Sequence, residues 1–347
     1  MKIGPYTLRN RVFVAPMAGV TDRPFRQLCK ALGAGYAVSE MAASNPRLWA
    51  TVKSSRRLNH DGEQEPKAVQ IAGGDPQMLA DAARFNVDRG AQIIDINMGC
   101  PAKKVCDVMA GSALMANEEL AIRIVAACAN AVSVPVTLKM RTGPSIALRN
   151  AVQLARSAQA AGAAMITIHG RTRACGFTGN AEYDTIAEVK TWLSIPLVAN
   201  GDIDSPEKAA QVLRHTGADA VMVGRAAQGR PWIFREIEAY LNNEVMPAAP
   251  DPAELQSLMR RHLLEHYAFY GEYTGVRTVR KHVGWYLQQQ PAGRTFLNGF
   301  NLIDSADAQL LAIDRFFNEF DPGCSLDPAS ETPAAANDRS FDRRRLA

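Results

Sequence analysis

The chain has 347 residues, 47% of them hydrophobic, which is enough for one large α/β domain with a packed core and a smaller second domain. Its six cysteines include no Cys-x-x-Cys pair, so a disulfide framework and a zinc ribbon are disfavoured and a reducing, cytoplasmic compartment is expected. The N-terminus lacks the apolar core of a signal peptide and no run of about 18 apolar residues occurs, so no membrane association is expected. A net charge of +4 permits a nucleic-acid partner but does not by itself indicate one.

Short runs rich in Val, Ile and Ala alternate along the chain with stretches that favour helices. Eight such βα units over about 230 residues predict an α/β fold of the (β/α)8 TIM-barrel class. A doubly wound sheet is the structural alternative, but the segment Gly33-Ala34-Gly35 leads into a predicted strand instead of following one, so the dinucleotide-binding fingerprint is absent. The predicted strands are Arg11–Val14, Gly35–Val38, Lys67–Gln70, Ile93–Ile96, Val134–Leu138, Met165–Ile168, Ile195–Val198 and Asp219–Val223.

Functional side chains follow these predicted strands. A single Lys or His at a strand end is usually structural, but here strands two to eight all end in polar groups. Because the carboxyl ends of barrel strands meet at one mouth, we expect these groups to form one site. In strand order they are Pro16, Met17 and Ala18; Glu40; Gln70; Asn97 with Cys100; Lys139 with Arg141; His169 with Arg171; Asn200, Gly201 and Asp202; and Gly224 with Arg225.

The ends of strands seven and eight predict a phosphate site. Both carry glycine, whose backbone N–H groups commonly bind phosphate at this position in barrels, and Arg225 can add a bidentate contact. With Lys139 placed to stabilise negative charge on a flavin ring and Gln70 to bind a ring heteroatom, the set suggests FMN. The residues alone do not distinguish FMN from another phosphorylated ligand.

A cysteine in a Gly-Cys-Pro turn ends the fourth predicted strand. Free cysteines are most often small buried hydrophobic residues. Cys100, however, lies at the edge where barrels carry out catalysis, among the polar strand ends. We therefore expect its thiol to take part in the chemistry.

At these positions the chain resembles the tRNA-dihydrouridine synthases, most closely the bacterial B subfamily. The resemblance covers roughly residues 1–320. It implies an FMN enzyme that takes hydride from NADPH and reduces a uridine of the tRNA D-loop, expected at position 17, to 5,6-dihydrouridine. The matching segments are Ala15–Asp22, Val38–Met41, Asn97–Val105, Ile168–Arg173, Ala199–Ile203 and Gly224–Gly229.

The resemblance also implies roles for individual residues. Cys100 falls on the catalytic acid, which protonates C5 after hydride has reached C6 of the pyrimidine. Cys106, in a predicted loop or helix start, is the weaker alternative. Asn97, Arg141 and Arg171 are expected to contact the substrate. The FMN contacts of the family fall on Pro16, Met17, Ala18, Gln70, Lys139, His169, Asn200, Gly201, Asp202, Gly224 and Arg225.

A proline-rich hinge, residues 244–252, is predicted to separate a barrel domain, 1–243, from a helical domain, 253–320, and a disordered tail, 321–347. No acidic residue occurs between Tyr273 and Ile303, a stretch that carries basic side chains. Such a face is usually solvated surface, but the family uses this domain to hold tRNA, so we expect the basic side chains to bind phosphates. They include Arg277, Arg280 and Lys281.

The string from His262 to His266 fits the zinc-protease pattern His-x-x-Glu-His, but short strings of this kind arise by chance and no further ligand is evident, so no metal site is predicted. Two alternatives to the tRNA-reducing enzyme are an FMN barrel acting on a free pyrimidine, as dihydroorotate dehydrogenases do, and a non-catalytic RNA-binding or regulatory barrel. The basic helical region disfavours the first, and Cys100 beside a flavin constellation disfavours the second. The protein is expected to be monomeric.

Overall fold

Eight parallel strand positions close into a barrel in the computed structural model, which describes residues 1–318 apart from 244, 289 and 291. The second position is split into two short strands, and Val38 between them pairs with Ala68, which joins the ends of the sheet. This confirms the predicted barrel and its eight strands. The strands are β1 (Lys2–Ile3), β2 (Tyr6–Thr7), β3 (Val12–Val14), β4 (Tyr36–Ala37), β5 (Ala42–Ala43), β6 (Ala68–Ala72), β7 (Ile93–Met98), β8 (Val136–Arg141), β9 (Ala163–His169), β10 (Leu197–Asn200) and β11 (Ala220–Val223).

Helices follow each barrel strand and cover its outer face. Three short 3₁₀ helices, Pro46–Leu48, Gly111–Ala116 and Arg225–Ala227, interrupt the connecting loops. The α-helices are α1 (Arg23–Ala31), α2 (Val52–Arg57), α3 (Pro76–Val87), α4 (Lys103–Cys106), α5 (Glu118–Ala131), α6 (Ala151–Ala160), α7 (Asp184–Lys190), α8 (Pro206–Thr216), α9 (Ile233–Asn243), α10 (Pro252–Tyr270), α11 (Glu272–Leu287), α12 (Gly293–Phe300) and α13 (Ala306–Asn318).

The lower barrel interior is apolar and closed. Alternate strand residues point inward, among them Phe13, Tyr36 and Met222, and they form one buried cluster with Ile3 of the antiparallel hairpin β1–β2. The turn of this hairpin lies against the loop before β8, where a Cβ on Gly4 would come within 2.4 Å of the ring of Pro135. The hairpin therefore covers the N-terminal end of the barrel, and the polar side chains lie at the opposite end.

Helices α10 to α13 form a second core beyond the barrel. On α11 the side chains of one apolar stripe, Val276, Val279, Val283 and Leu287, are buried in this core. Helix α10 begins at Pro252, where the side chain of Asp251 accepts a hydrogen bond from Glu254 N at 2.8 Å. None of the described helices is long and apolar enough to cross a membrane. The predicted tail, 321–347, lies outside the described residues.

The helical region packs directly on the barrel. Tyr270 Oη donates to Asp22 Oδ2 at 3.0 Å, and Arg56 donates to the carbonyl of Tyr270 at 3.0 Å. Lys281 Nζ donates to the carbonyl of Gly19, in the loop after β3. The loop after β3 therefore borders both the barrel mouth and the helical region.

Candidate functional site

A buried polar network forms the floor of the barrel mouth. Gln70 donates to Asp95 Oδ2 at 2.7 Å, and Thr137 donates to Asp95 Oδ1 at 2.6 Å. Asn97 in turn donates to Gln70 Oε1 at 2.7 Å. Burial raises the pKa of Asp95 to about 6, against the hydrogen bonds from Thr137 and Gln70. The network fixes the amide of Gln70, so a ligand above it would meet an oriented side chain.

Lys139 lies inside the mouth next to the end of β10. Its ammonium donates to Asn200 Oδ1 at 2.9 Å, and Asn200 is held by its own donation to the carbonyl of Met222 at 2.8 Å. Burial and then the charge of Arg141 lower the pKa of Lys139 to about 8, so the side chain stays largely cationic at neutral pH. Among the described residues, Asn200 Oδ1 is the one acceptor that the Lys139 ammonium contacts. The other N–H donors of the ammonium are therefore available to a ligand.

His169, at the end of β9, has a buried ring nitrogen, Nδ1, without a hydrogen-bond partner among the described residues. Burial and four nearby cations lower its pKa to about 2, so the ring is neutral. An unpartnered buried nitrogen beside four cations fits a polar, anionic ligand, as FMN would be. The four cations are Lys139, Arg141, Arg171 and Arg225.

The loops after β10 and β11 meet at Asp202. Asp202 adopts a φ of +46°, and its carboxylate binds both terminal nitrogens of Arg171, at 2.8 and 2.7 Å, and Arg225 at 3.0 Å. Burial opposes ionisation, but these hydrogen bonds lower the pKa of Asp202. The predicted FMN contact Asp202 thus binds and orients Arg225, the side chain predicted to contact the phosphate.

Glycine is required beside this carboxylate. Gly201 has a φ of +119°, and a Cβ there would lie 2.8 Å from Ala181 Cβ and 3.4 Å from the ring of His169. A Cβ on Gly224 would lie 3.8 Å from Met17 Sδ, so the end of β11 borders the loop after β3. That loop is a turn in which Met17 accepts hydrogen bonds from Val20 N and Thr21 N and carries the predicted contacts Pro16, Met17 and Ala18.

Cys100 is held by its main chain. Its N–H donates to Asn97 Oδ1 at 3.0 Å, and its carbonyl accepts from Ser112 N at 3.0 Å and Ser112 Oγ at 2.9 Å. Its thiol is free and half-buried. Cys106 Sγ lies 3.6 Å from the Cys100 carbonyl, so the second thiol packs against the turn. The structure therefore brings Cys100, and with it Asn97, to the mouth where the predicted FMN residues meet.

The two arginines predicted to contact substrate are buried and hold the loop after β9. Arg141 donates to the carbonyls of Thr172, at 2.9 Å, and Gly176, at 2.7 Å, and Arg171 donates to Thr178 O at 3.1 Å. The loop presents Phe177, a residue that is 58% exposed and whose ring centroid lies 5.5 Å from the Arg141 guanidinium carbon. Sequence reasoning missed Phe177, and the only signal was an aromatic residue between turn residues.

The basic residues of α11 have acidic or carbonyl partners within the chain. Arg280 donates to Asp304 Oδ1 at 2.9 Å, and Arg277 lies 3.7 Å from the same oxygen. Asp304 is the first residue after the acid-free stretch, and the fold returns it to α11. Lys281 faces Gly19 of the barrel. Fewer of the α11 cations are therefore free to bind phosphate than the sequence alone indicates.

The His-x-x-Glu-His string does not act as a unit. Glu265 accepts a hydrogen bond from Arg261, one turn earlier, at 2.9 Å. His262 and His266 point instead into the junction with the barrel, where they meet His282. From the sequence the string was attributed to chance because no further ligand was evident, and the third histidine, His282, lies on the next helix.

Comparison with known proteins identifies the family to which the chain belongs. A family model described as "Dihydrouridine synthase (Dus)" matches residues 13–320. The tRNA-dihydrouridine synthase B of Pseudomonas aeruginosa is 60% identical over 320 residues, which is 92% of this chain and 96% of that protein. The proteins of the same name from Xanthomonas axonopodis and Vibrio vulnificus are 58% and 56% identical, over 92% of this chain and 96% and 99% of theirs.

Solved structures share the fold at low identity. Histamine dehydrogenase from Rhizobium sp. 4-9 aligns with a TM-score of 0.55 at 13% identity, over 76% of this chain and 50% of that chain. A 2-naphthoyl-CoA reductase complex aligns with a TM-score of 0.54 at 12% identity, over 68% of this chain and 51% of that chain. The aligned part is thus about half of each of those chains.

Proposed function

Because this chain belongs to the dihydrouridine synthase family, we propose that it reduces a uridine of tRNA to 5,6-dihydrouridine with FMN bound in the barrel mouth. The observation that carries the proposal is the position of Cys100 at the mouth that also holds Lys139 and the unpartnered ring of His169. The family match over residues 13–320 favours this activity over a free-pyrimidine oxidoreductase or a non-catalytic barrel.

The residues of the mouth divide between the two ends of the cofactor. Arg225, oriented by Asp202, and the backbone at Gly201 and Gly224 would bind the phosphate. Lys139 would place its cation at the pyrimidine edge of the ring, and Gln70, fixed by Asp95, would hydrogen-bond a ring heteroatom. When bound, FMN supplies the hydride that reaches C6 of the uracil ring.

Cys100 supplies the proton. Negative charge develops at C5 of the uracil as C6 accepts hydride, and an acid held beside C5 lowers the barrier to protonation. The turn that carries Cys100 is fixed at its N–H by Asn97 and at its carbonyl by Ser112, so the thiol is presented from a rigid main chain. Its proton passes to C5, and the thiolate that remains regains a proton from solvent.

The finer assignments follow the resemblance. NADPH is the expected reductant, position 17 of the D-loop the expected uridine, and a cytoplasmic monomer the expected form. The helical domain, 253–320, would hold the tRNA, and Arg141 and Arg171 would support the substrate through the loop that presents Phe177.

The test is complementation in a bacterial strain that lacks its own dihydrouridine synthases. Mass-spectrometric mapping of tRNA should show dihydrouridine restored by the wild-type chain, at D-loop position 17, and not by Cys100→Ala. Unmodified D-loops in a strain that accumulates folded, FMN-loaded wild-type protein would exclude the activity.

A further inference from the structure

Three histidines that the proposed reaction does not use meet where the helical domain packs on the barrel. His262 and His266 lie one turn apart on α10, His282 lies on α11, and all three are buried. One ring nitrogen of each lies within 4.8 Å of those of the other two. The ring planes are steeply inclined to one another, at 62° to 82°, so the rings approach by their edges and not by stacking.

Each ring has a buried nitrogen without a hydrogen-bond partner in the described part of the chain: His262 Nε2, His266 Nδ1 and His282 Nε2. Leaving a buried polar atom unpaired is unfavourable, so a ligand that pairs these atoms would stabilise the cluster. The opposite nitrogens of two rings are held, His262 Nδ1 by Tyr286 Oη at 3.1 Å and His266 Nε2 by Thr278 Oγ1 at 2.8 Å. Metal-ligating histidines are oriented in this way, with one nitrogen bound by the protein and the other directed at the ion.

The protonation states suit a cation. Burial lowers the pKa of His262 to about 3 and that of His266 to about 2, and it lowers the pKa of His282 well below the ordinary value. The imidazoles are therefore neutral at physiological pH, which is the form that binds metal.

Asp22 supplies a fourth donor from the barrel side. Its Oδ2 lies 3.6 Å from His266 Nδ1, and the carboxylate is buried. The other oxygen, Oδ1, accepts from Phe25 N at 3.0 Å and caps α1. Burial raises the pKa of Asp22 to about 6, and a bound cation would favour its ionised form. The cation of Lys281 acts against metal binding, and the carboxylates of Asp22 and Glu40 interact with the same cation.

We propose that His262, His266 and His282, with Asp22 as the fourth ligand, bind one divalent transition-metal ion, most suitably Zn²⁺. Three imidazoles and a carboxylate form a tetrahedral set of the kind that Zn²⁺ takes in proteins. Ligand atoms around tetrahedral Zn²⁺ lie about 3.4 Å apart, so the three histidine nitrogens, which lie within 4.8 Å of one another, would move closer on binding. Asp22 Oδ2, which also accepts from Tyr270 Oη at 3.0 Å, would turn towards the ion from its position beside His266. The role is structural, because all four donors are buried and Glu265 is paired with Arg261. The site joins α1 of the barrel to α10 and α11, and it does not depend on the proposed reaction.

The test is a titration of tag-free protein, stripped with a chelator and then dialysed, with Co²⁺. Trp285 is a built-in reporter, because its ring centroid lies 5.0 Å from that of His282 and Co²⁺ quenches nearby tryptophan fluorescence. We expect one equivalent of Co²⁺ per chain, the visible absorption of tetrahedral Co²⁺, quenching, and displacement by one equivalent of Zn²⁺. Folded wild-type protein that takes up neither ion at micromolar concentration would overturn the proposal without any variant.

Variants then assign the ligands. His282→Gln and His266→Gln should each weaken Co²⁺ binding by at least about 100-fold. Asp22→Asn keeps the acceptor that caps α1 and should weaken binding less than loss of a histidine. His215→Gln is the matched control, because His215 is exposed and paired with Asp184 at 2.7 Å, and binding should be unchanged. Equal Co²⁺ affinity in His215→Gln and folded His282→Gln would contradict the assignment.

Discussion

Asn97 Oδ1 lies 3.0 Å from the main-chain nitrogen of Cys100 and accepts its hydrogen bond. The same amide donates to Gln70 Oε1 at 2.7 Å, and Gln70 is bound to the buried carboxylate of Asp95. The turn with the thiol is therefore tied to the polar floor of the barrel. A side chain predicted to contact FMN and the predicted proton donor are thus positioned by one asparagine.

Replacing Cys100 with alanine should separate the two half-reactions. Reduction of the bound flavin by NADPH needs no proton from Cys100 and should be nearly unchanged. Oxidation of the reduced flavin by tRNA should slow by about 10²- to 10⁴-fold, the usual contribution of a positioned acid. Stopped-flow absorbance measures both rates in the same preparation.

Cys106→Ala is the control for that experiment. Its thiol packs against the carbonyl of Cys100 at 3.6 Å, so its loss should leave the rate of flavin oxidation by tRNA close to wild type. If Cys106→Ala were the slower variant, the acid would be the second thiol.

Lys139→Ala should weaken FMN binding. The ammonium is buried and has N–H donors free beyond its bond to Asn200, so its loss removes a charge-assisted hydrogen bond worth about 1–3 kcal/mol, or roughly 5- to 150-fold in Kd. Quenching of FMN fluorescence on titration with apoprotein measures the change. Lys208→Ala, on the outer helix α8, should bind FMN as the wild type does, and equal Kd values in the two variants would count against the placement of Lys139.

The affinity for FMN should also depend on pH through Lys139. Because burial lowers its pKa to about 8, the side chain of the apoprotein is cationic below that pH and neutral above it. Affinity should thus fall as the pH rises from 7 through 8 to 9. In Lys139→Ala the same titration should be flatter, and an equal slope in both proteins would assign the pH dependence to another group.

The role of the basic α11 residues in tRNA binding can be tested by removing their charges. If the side chains bind phosphates, the triple change Arg277→Ala, Arg280→Ala and Lys281→Ala should weaken tRNA binding and flatten its salt dependence, with FMN content and NADPH oxidation unchanged. Anisotropy of labelled tRNA at several salt concentrations measures both quantities.

Asp304→Asn is the complementary variant. Asp304 holds Arg280 at 2.9 Å, so its neutralisation should free the cation and strengthen tRNA binding. Unchanged affinity and salt slope in both variants would move the RNA site to the barrel face around Lys103, Lys104 and Arg173.

The strands were predictable because short runs rich in Val, Ile and Ala are a local signal, and two errors in their starts have a simple cause. Strands β8 and β10 begin at Val136 and Leu197, two residues later than predicted in each case. Pro135 and Pro196 come directly before these residues and lack the N–H that a strand ladder requires. Once the strands were predicted, the polar residues after them could be assigned to one site, because the C-terminal ends of barrel strands meet at one mouth.

Contacts made through tertiary packing were not predictable in the same way. Asp95 lies within the predicted strand Ile93–Ile96 and was given no role, but in the barrel it accepts hydrogen bonds from Gln70 and Thr137. His282 reaches His262 only because α10 and α11 pack side by side against α1, and Asp304 reaches Arg280 only because the chain turns back after α12. The spacing of these residues in the sequence does not specify how the helices pack, so it could not predict these contacts.

The hairpin that covers the lower end of the barrel has a kinetic consequence. With Ile3 packed into the apolar interior, the described residues close the lower end of the barrel, so a flavin bound in the mouth would be approached from the side that Cys100 and Phe177 border. On the proposed function, the nicotinamide of NADPH and the uracil of tRNA would each stack on that ring and would compete for a single space. Oxidised dinucleotide would then leave before tRNA enters, and double-reciprocal plots at several fixed tRNA concentrations should be parallel lines instead of converging ones.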